Sequence, residues 1–227
     1  MCIRDRHVAA TKIVCLENTQ NRCSGMVMTT AETKAVCDVA HEAGVAVHLD
    51  GARIFNAAVA LEVPVMELTR DVDDASFCLS KSLSCPVGSV LVGSKDFISE
   101  ARRWRKMVGG GMRQAGILAA AGLVALDTMV DRLAEDHQNA RRLAAGLANI
   151  DGLSVDADSI QTNIVIFDVD EKVAKVPDFM KALVDAEVLV SYPGEHSVRM
   201  VTHRHISGDD VEEALSRTSK VVRELQG

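Results

Sequence analysis

Two short polar segments contain the residues best suited to chemistry, and the first is His48-Leu49-Asp50-Gly51-Ala52-Arg53. An apolar run precedes it and predicts a β-strand, so Asp50 falls at the carboxyl end of that strand. Open α/β sheets bind their ligands outside the carboxyl ends of strands, where a carboxylate can pair with a cationic or polar ring nitrogen. The alternative is that Asp50 caps the following helix and that Arg53 is its surface partner.

The second segment, residues 80–89, places Lys81 among Ser, Gly and Pro directly after another apolar strand. A lysine amine that is shielded from water loses its proton more easily and can then form a Schiff base. The alternative is an ordinary loop lysine in solvent.

Together, Asp50 and Lys81 are more informative than either residue alone. Pyridoxal phosphate needs a carboxylate that keeps its pyridine nitrogen protonated and a lysine that binds its aldehyde carbon. A strand-end Asp followed one strand later by a loop Lys is that arrangement. The pair therefore predicts an enzyme that uses pyridoxal phosphate.

The elements around these segments predict a parallel sheet. Residues 11–16 and 45–49 are mostly apolar and short enough for buried strands. Between them, Thr29 and Glu32 form a capping box at the start of a helix, and Gly44 suits the end of that helix. Strand, helix and strand in so short a stretch predict a βαβ unit with parallel strands.

Further along the chain the pattern changes near Ile150. Before this point we predict two more strands, over residues 76–79 and 89–92, and two helices, over residues 96–108 and 114–148. The glycine triplet 109–111 separates the two helices, and the second helix is expected to be interrupted near Asp131. After it we predict shorter elements, with strands over 164–167, 188–191 and 198–202 and helices over 176–185 and 209–225. The chain is therefore an α/β protein with a small C-terminal α+β domain.

Several ordered motifs resemble those of the low-specificity L-threonine aldolases. This family belongs to the aromatic amino acid beta-eliminating lyase/threonine aldolase group of fold-type-I pyridoxal-phosphate enzymes. The resemblance runs from Thr11 to the C-terminus and implies an aminotransferase-like large domain. The motifs are Glu17-Asn18-Thr19-x-Asn21, His48 to Arg53, Ser80-Lys81-x-Leu83, Pro86-x-Gly88-Ser89, Gly109 to Gln114 and Val198 to His203.

The resemblance implies roles for three residues at the cofactor. Lys81 would bind pyridoxal phosphate covalently, and Asp50 would pair with its pyridine nitrogen. Arg53 would lie near the phenolic oxygen of the cofactor and the carboxylate of the substrate.

Four more residues are implied to bind the substrate. Arg199 would hold its carboxylate through a bidentate guanidinium, although without the motif an ion pair at a sheet edge would be the preferred interpretation. Lys106 and Arg113 match basic positions near the active site or a subunit boundary. Gln20 stands where the family usually has His, and glutamine can hydrogen-bond a hydroxyl but cannot take its proton.

The family also has an upstream segment that supplies a phosphate cup and a His stacked on the cofactor. We find no counterpart before Thr11 and therefore expect an incomplete large domain. The expected organisation is an extraneous or disordered start over residues 1–10, a partial cofactor-binding domain over 11–150 and a small domain over 151–227.

Composition argues against several other classes. Lys and Arg number 25 against 32 Asp and Glu, and the net charge of −7 disfavours a nucleic-acid partner. No apolar run reaches the roughly 18 residues that a membrane span needs. No metal site is expected, because His203 and His205 would point to opposite faces of a strand.

We therefore predict a cytoplasmic homodimer or homotetramer that acts on a small amino acid. Its reaction would be the cleavage of L-threonine and L-allo-threonine to glycine and an aldehyde. The alternatives are a related pyridoxal-phosphate β-eliminating lyase, an amino-acid racemase that shares Asp50 and Lys81, or an inactive fragment.

Overall fold

The computed structural model describes residues 10–191 and 194–227, which form two compact units. The first unit comprises the described residues up to Thr19 together with Met28–Val130, and the second comprises Gln20–Val27 together with Asp131–Gly227. The chain thus passes to the second unit after Val130, earlier than the boundary expected near Ile150. Of the predicted extraneous start, residues 1–9 lie outside the described part of the chain.

A four-stranded sheet organises the first unit, and its strands lie in the order of the chain. They are β1 (Ile13–Glu17), β2 (Ala46–Asp50), β3 (Asp74–Cys78) and β4 (Ser89–Gly93). The first three strands are parallel and β4 runs antiparallel to β3. The predicted βαβ unit with parallel strands is confirmed.

Five helices accompany this sheet: α1 (Thr30–Glu42), α2 (Ile54–Leu61), α3 (Val65–Leu68), α4 (Lys95–Met107) and α5 (Gly116–Thr128). The predicted capping box at the start of α1 is confirmed. Thr29 Oγ1 accepts from the Glu32 N–H at 3.3 Å, and the Glu32 carboxylate accepts from the Thr29 N–H at 2.8 Å. After α1, Gly44 has a φ of +68°, a conformation that glycine adopts without strain.

The second unit is an α+β assembly that extends beyond the predicted range 151–227, since it also includes Gln20–Val27 and residues 131–150. Its antiparallel sheet has the order β5 (Leu153–Ser154), β6 (Ile164–Val169) and β7 (Ser197–Val201). Three helices, α6 (Leu133–Leu147), α7 (Val176–Asp185) and α8 (Gly208–Gln226), complete it. Its core is a continuous apolar cluster. Within it the rings of Phe167 and Phe179 pack edge to face, with their centroids 6.4 Å apart.

The strand predicted over residues 188–191 is wrong. Only Ser191 pairs there, through two backbone hydrogen bonds with Arg199 of 2.9 and 3.0 Å. Val188 packs into the core and Leu189 is 83% exposed, an alternation that fits an extended segment, but apart from Ser191 no described residue of this stretch pairs with another strand.

Two negative findings concern only the described part of the chain. No helix there is both long enough and apolar enough to span a bilayer. No group of three or more His, Cys, Asp and Glu side chains there is arranged to hold a metal ion.

Candidate active site

Asp50 is the last residue of β2, where the parallel strands end. Its neighbours in the sheet are Glu17 of β1 and Ser76 of β3. The side chain is exposed, and its Oδ1 accepts the Ala52 N–H at 3.0 Å. Helix α2 starts later, with Arg53 as its N-cap, so the alternative that Asp50 caps this helix is wrong.

Gly51 lets the backbone turn tightly after Asp50. Its N–H donates to the carbonyl oxygen of Ser76 at 2.8 Å. A Cβ on Gly51 would lie 2.9 Å from that oxygen and 3.0 Å from the Cβ of Ile54. Since neither neighbour can withdraw without moving the sheet or α2, only glycine fits, and the turn fixes where Asp50 points. Arg53, two residues after Gly51, is half-buried.

Lys81 lies in the loop that joins β3 to β4. Buried side chains hold this loop, chiefly Leu79, Leu83 and Cys85. Its backbone is closed by hydrogen bonds from Cys85 N–H to Leu79 O at 3.0 Å and from Ser84 N–H to Lys81 O at 2.9 Å. The Lys81 side chain is exposed, so the shielding from water expected of a reactive lysine does not come from its own loop. Among the described residues its amine has no hydrogen-bond or ion-pair partner.

The carboxyl ends of β2 and β3 bring these two segments to one edge of the sheet. Asp50 pairs with Ser76, and β3 continues only to Cys78 before the loop that carries Lys81. The predicted order, a strand-end Asp and then a loop Lys one strand later, is therefore present. The edge presents one fixed carboxylate and one amine on a rigid loop.

Lys106 and Arg113 lie elsewhere in the first unit. Lys106 is in the last turn of α4, and Arg113 follows the glycine triplet that ends this helix. Both are exposed, and within the described residues neither bonds to Asp50 or Lys81.

In the second unit, neutral partners hold Arg199 on β7. Its Nε donates to Ser191 Oγ at 2.9 Å, and its Nη1 donates to Asn21 Oδ1 at 2.8 Å. The ion pair considered from the sequence is therefore not formed with described residues. Asn21 belongs to a predicted motif, but the sequence did not show that it contacts Arg199.

Gln20 lies beside Asn21 and uses its side chain locally. Its Oε1 accepts the N–H groups of Arg22 at 2.6 Å and Cys23 at 2.9 Å. A contact between Gln20 and a substrate would therefore have to use the amide nitrogen.

The motif residue Thr202 is structural. It is buried, and its hydroxyl donates to the carbonyl oxygen of Asp136 at 2.6 Å. Asn163 Nδ2 donates to the Thr202 carbonyl oxygen at 2.8 Å. Burial raises the pKa of the Asp136 carboxyl, while the hydrogen bonds from Arg132 oppose this change. This network anchors the end of the strand that carries Arg199.

Comparison with solved structures defines the class of fold. The chain superposes on a threonine aldolase from Leishmania major with a TM-score of 0.74 at 18% identity, covering 96% of this chain and 64% of that one. A PLP-dependent aminotransferase from Streptococcus suis gives 0.76 at 19% identity, with 96% and 59% covered. The fold is thus that of part of a fold-type-I pyridoxal-phosphate enzyme, as predicted.

The chain belongs to the beta-eliminating lyase family, whose model matches residues 2–171. It is 46% identical to the Arabidopsis thaliana protein "Probable low-specificity L-threonine aldolase 2", over 96% of this chain and 61% of that protein. It is 44% identical to the low specificity L-threonine aldolase of Escherichia coli K12, over 93% and 61%. The predicted resemblance is confirmed, and the chain spans 61% of the length of these relatives.

Proposed function

We propose that this chain acts in the pyridoxal-phosphate-dependent cleavage of β-hydroxy-α-amino acids. L-Threonine and L-allo-threonine would be cleaved to glycine and acetaldehyde. The observation that carries the proposal is the pair Asp50 and Lys81 at one sheet edge, and the names of the relatives support the same reaction.

The residues of the first unit fit the cofactor. One oxygen of Asp50 bonds to the Ala52 N–H, and the carboxylate keeps further lone pairs that can face a pyridinium N–H. Lys81 has a fixed backbone and an amine that can bond to the aldehyde carbon. When bound, pyridoxal phosphate supplies an electron sink for the pair released from the Cα–Cβ bond. Asp50 would keep the proton on the ring nitrogen, and Arg53 would lie beside the phenolic oxygen.

The amino acid would be bound by several of the remaining residues. Arg199 would hold its carboxylate, because Nη2 forms no hydrogen bond with any described residue. Gln20 would donate its amide N–H to the β-hydroxyl, and Lys106 and Arg113 would add positive charge near the substrate. Because an amide cannot accept the hydroxyl proton, we assign that proton to a water molecule.

We also propose a homodimer or homotetramer. Helix α5 supports this assignment, since it is apolar but buries only Gly122 and Ala125. Ile117 and Leu123 are 76% and 70% exposed, which is unusual for an apolar helix unless another surface covers it. We place the protein in the cytoplasm, and its five described cysteines, all free, suit a reducing compartment.

Product analysis tests the proposal. The purified chain is incubated with pyridoxal phosphate and L-threonine, both as it stands and preceded by the upstream segment of its Escherichia coli relative. We expect equal amounts of glycine and acetaldehyde, with better cofactor retention in the longer form because the family's phosphate contacts lie upstream. A keto acid and ammonia would instead identify a β-eliminating lyase, and a D-amino acid would identify a racemase. If neither form makes any product, the function is wrong.

A further inference from the structure

Residues 20–27, here called the 20–27 loop, are fixed within the second unit at several points. The Val27 N–H donates to Gln161 Oε1 at 2.8 Å, and the Thr162 hydroxyl donates to the Gly25 carbonyl oxygen at 2.7 Å. Gly25 packs so closely that a Cβ there would lie 2.3 Å from Thr162 Oγ1. The loop therefore has one defined conformation.

Gln20 closes the turn at the start of this loop. Its Oε1 accepts the N–H groups of Arg22 and Cys23, and its carbonyl oxygen accepts the N–H groups of Gly25 at 3.0 Å and, more weakly, of Cys23 at 3.3 Å. An amide oxygen has two lone pairs, so both acceptor sites of the side chain are used. The side chain acts on its own loop, like the short polar side chains that close turns.

Asn21 is the residue that this turn carries. Its Oδ1 bonds to Arg199 Nη1, while Ser191 Oγ bonds to Arg199 Nε. Two bonds at different nitrogens fix the plane of a guanidinium, which leaves its Nη2 edge for an anion. The orientation of Arg199 therefore depends on the position of Asn21, which in turn depends on the turn closed by Gln20.

We propose that Gln20 is a positioning residue for carboxylate binding. Its side-chain oxygen holds the turn that places Asn21, and Asn21 holds Arg199 in the orientation that binds the substrate carboxylate. The inference rests on the proposed function, in which Arg199 binds that carboxylate. It gives Gln20 a role in binding every α-amino acid, whether or not that amino acid carries a β-hydroxyl.

Hydrogen exchange tests the turn without cofactor or substrate. Exchange of the Arg22 and Cys23 amides is measured by NMR in the wild type, Gln20→Ala and Gln20→Glu. Removal of the acceptor in Gln20→Ala should speed exchange of the Arg22 amide about tenfold, while Gln20→Glu keeps an oxygen at the same reach and should keep it protected. The Cys23 amide should respond less, because it keeps its bond of 3.3 Å to the carbonyl oxygen of residue 20. The Val27 amide, which bonds to Gln161, should not change. Equal exchange of the Arg22 amide in wild type and Gln20→Ala would overturn the proposal.

Kinetics of the cofactor-loaded protein test the effect on Arg199. Gln20→Ala should raise both the KM for L-threonine and the inhibition constant of glycine about fivefold, because both ligands bind through the carboxylate. Glycine is the deciding probe because it has the carboxylate but no β-hydroxyl. Asn21→Ala should act in the same way, and the double variant should add little.

Two outcomes separate the possible failures. If Gln20→Ala leaves glycine binding unchanged and alters only kcat or the threonine to allo-threonine ratio, Gln20 acts on the hydroxyl and the positioning role is wrong. If the wild type forms no acetaldehyde at all, the proposed function fails and the carboxylate role fails with it, while hydrogen exchange still decides whether Gln20 closes the turn.

Discussion

At the scale of single residues, Asp50 makes one structural hydrogen bond and keeps carboxylate lone pairs available for a ligand. One oxygen fixes the turn through the Ala52 N–H, and the sheet fixes the backbone on both sides. A carboxylate held in this way needs little reorganisation to stabilise a cationic ring nitrogen, and such preorganisation is a large part of catalysis by electrostatics.

Asp50→Asn should separate charge from shape. The variant keeps an oxygen for the Ala52 N–H but loses the negative charge, so turnover of L-threonine should fall about 100-fold or more while the unfolding midpoint in urea stays unchanged. Steady-state kinetics with saturating pyridoxal phosphate are the measurement. Wild-type turnover in Asp50→Asn would show that the charge has no catalytic role.

Gly51→Ala should damage the same turn by sterics. The new Cβ would meet the Ser76 carbonyl oxygen and Ile54, at a cost of about 1–3 kcal/mol in the free energy of unfolding. Gly116→Ala is the matched control, since no atom lies within 4 Å of its Cβ position and alanine favours a helix. Urea denaturation compares the two, and equal stability of both variants would contradict the steric argument.

At the scale of elements, the start of α1 links stability to pH. The hydrogen bond from the Thr29 N–H lowers the pKa of Glu32 in the folded chain. The stabilisation is complete above the pKa of an unfolded glutamate, about 4.3, and is lost as the pH falls through the lower folded value. Glu32→Gln should therefore be less stable than the wild type at pH 7. The difference between their free energies of unfolding should shrink as the solution is acidified. Denaturant titrations at several pH values measure this, and a constant difference would exclude the carboxylate as the cause.

The elements also show which features the sequence could predict. The capping box, the glycine after α1 and the helix α7 depend on neighbours within a few residues, and all three were predicted correctly. The contact of Asn21 with Arg199 joins residues 178 positions apart, so no local pattern contains it. The strand predicted over 188–191 was wrong for a related reason: its apolar pattern fits a strand, but a strand also needs a pairing partner along its length, and only Ser191 has one, at Arg199.

At the scale of the whole molecule, acid should destabilise the fold through a buried histidine. His137 of α6 is 2% exposed, and burial, with Arg141 nearby, lowers its pKa from 6.5 to about 4. The unfolded chain binds a proton at this residue below about 6.5 and the folded chain only below about 4, so stability falls across this interval by at most about 3 kcal/mol. His137→Gln should show a flatter pH dependence of the unfolding free energy between pH 7 and 4. An unchanged slope would assign the acid sensitivity to other groups.

Covalent binding of pyridoxal phosphate by Lys81 is the central claim, and chemical trapping tests it most directly. The protein, alone and preceded by the upstream segment of its Escherichia coli relative, is incubated with pyridoxal phosphate, reduced with borohydride and digested for peptide mass spectrometry. We predict the cofactor's mass on the peptide that contains Lys81, its loss in Lys81→Ala and its retention in the control Lys106→Ala. A label on another lysine, or an undiminished label in Lys81→Ala, would contradict the account.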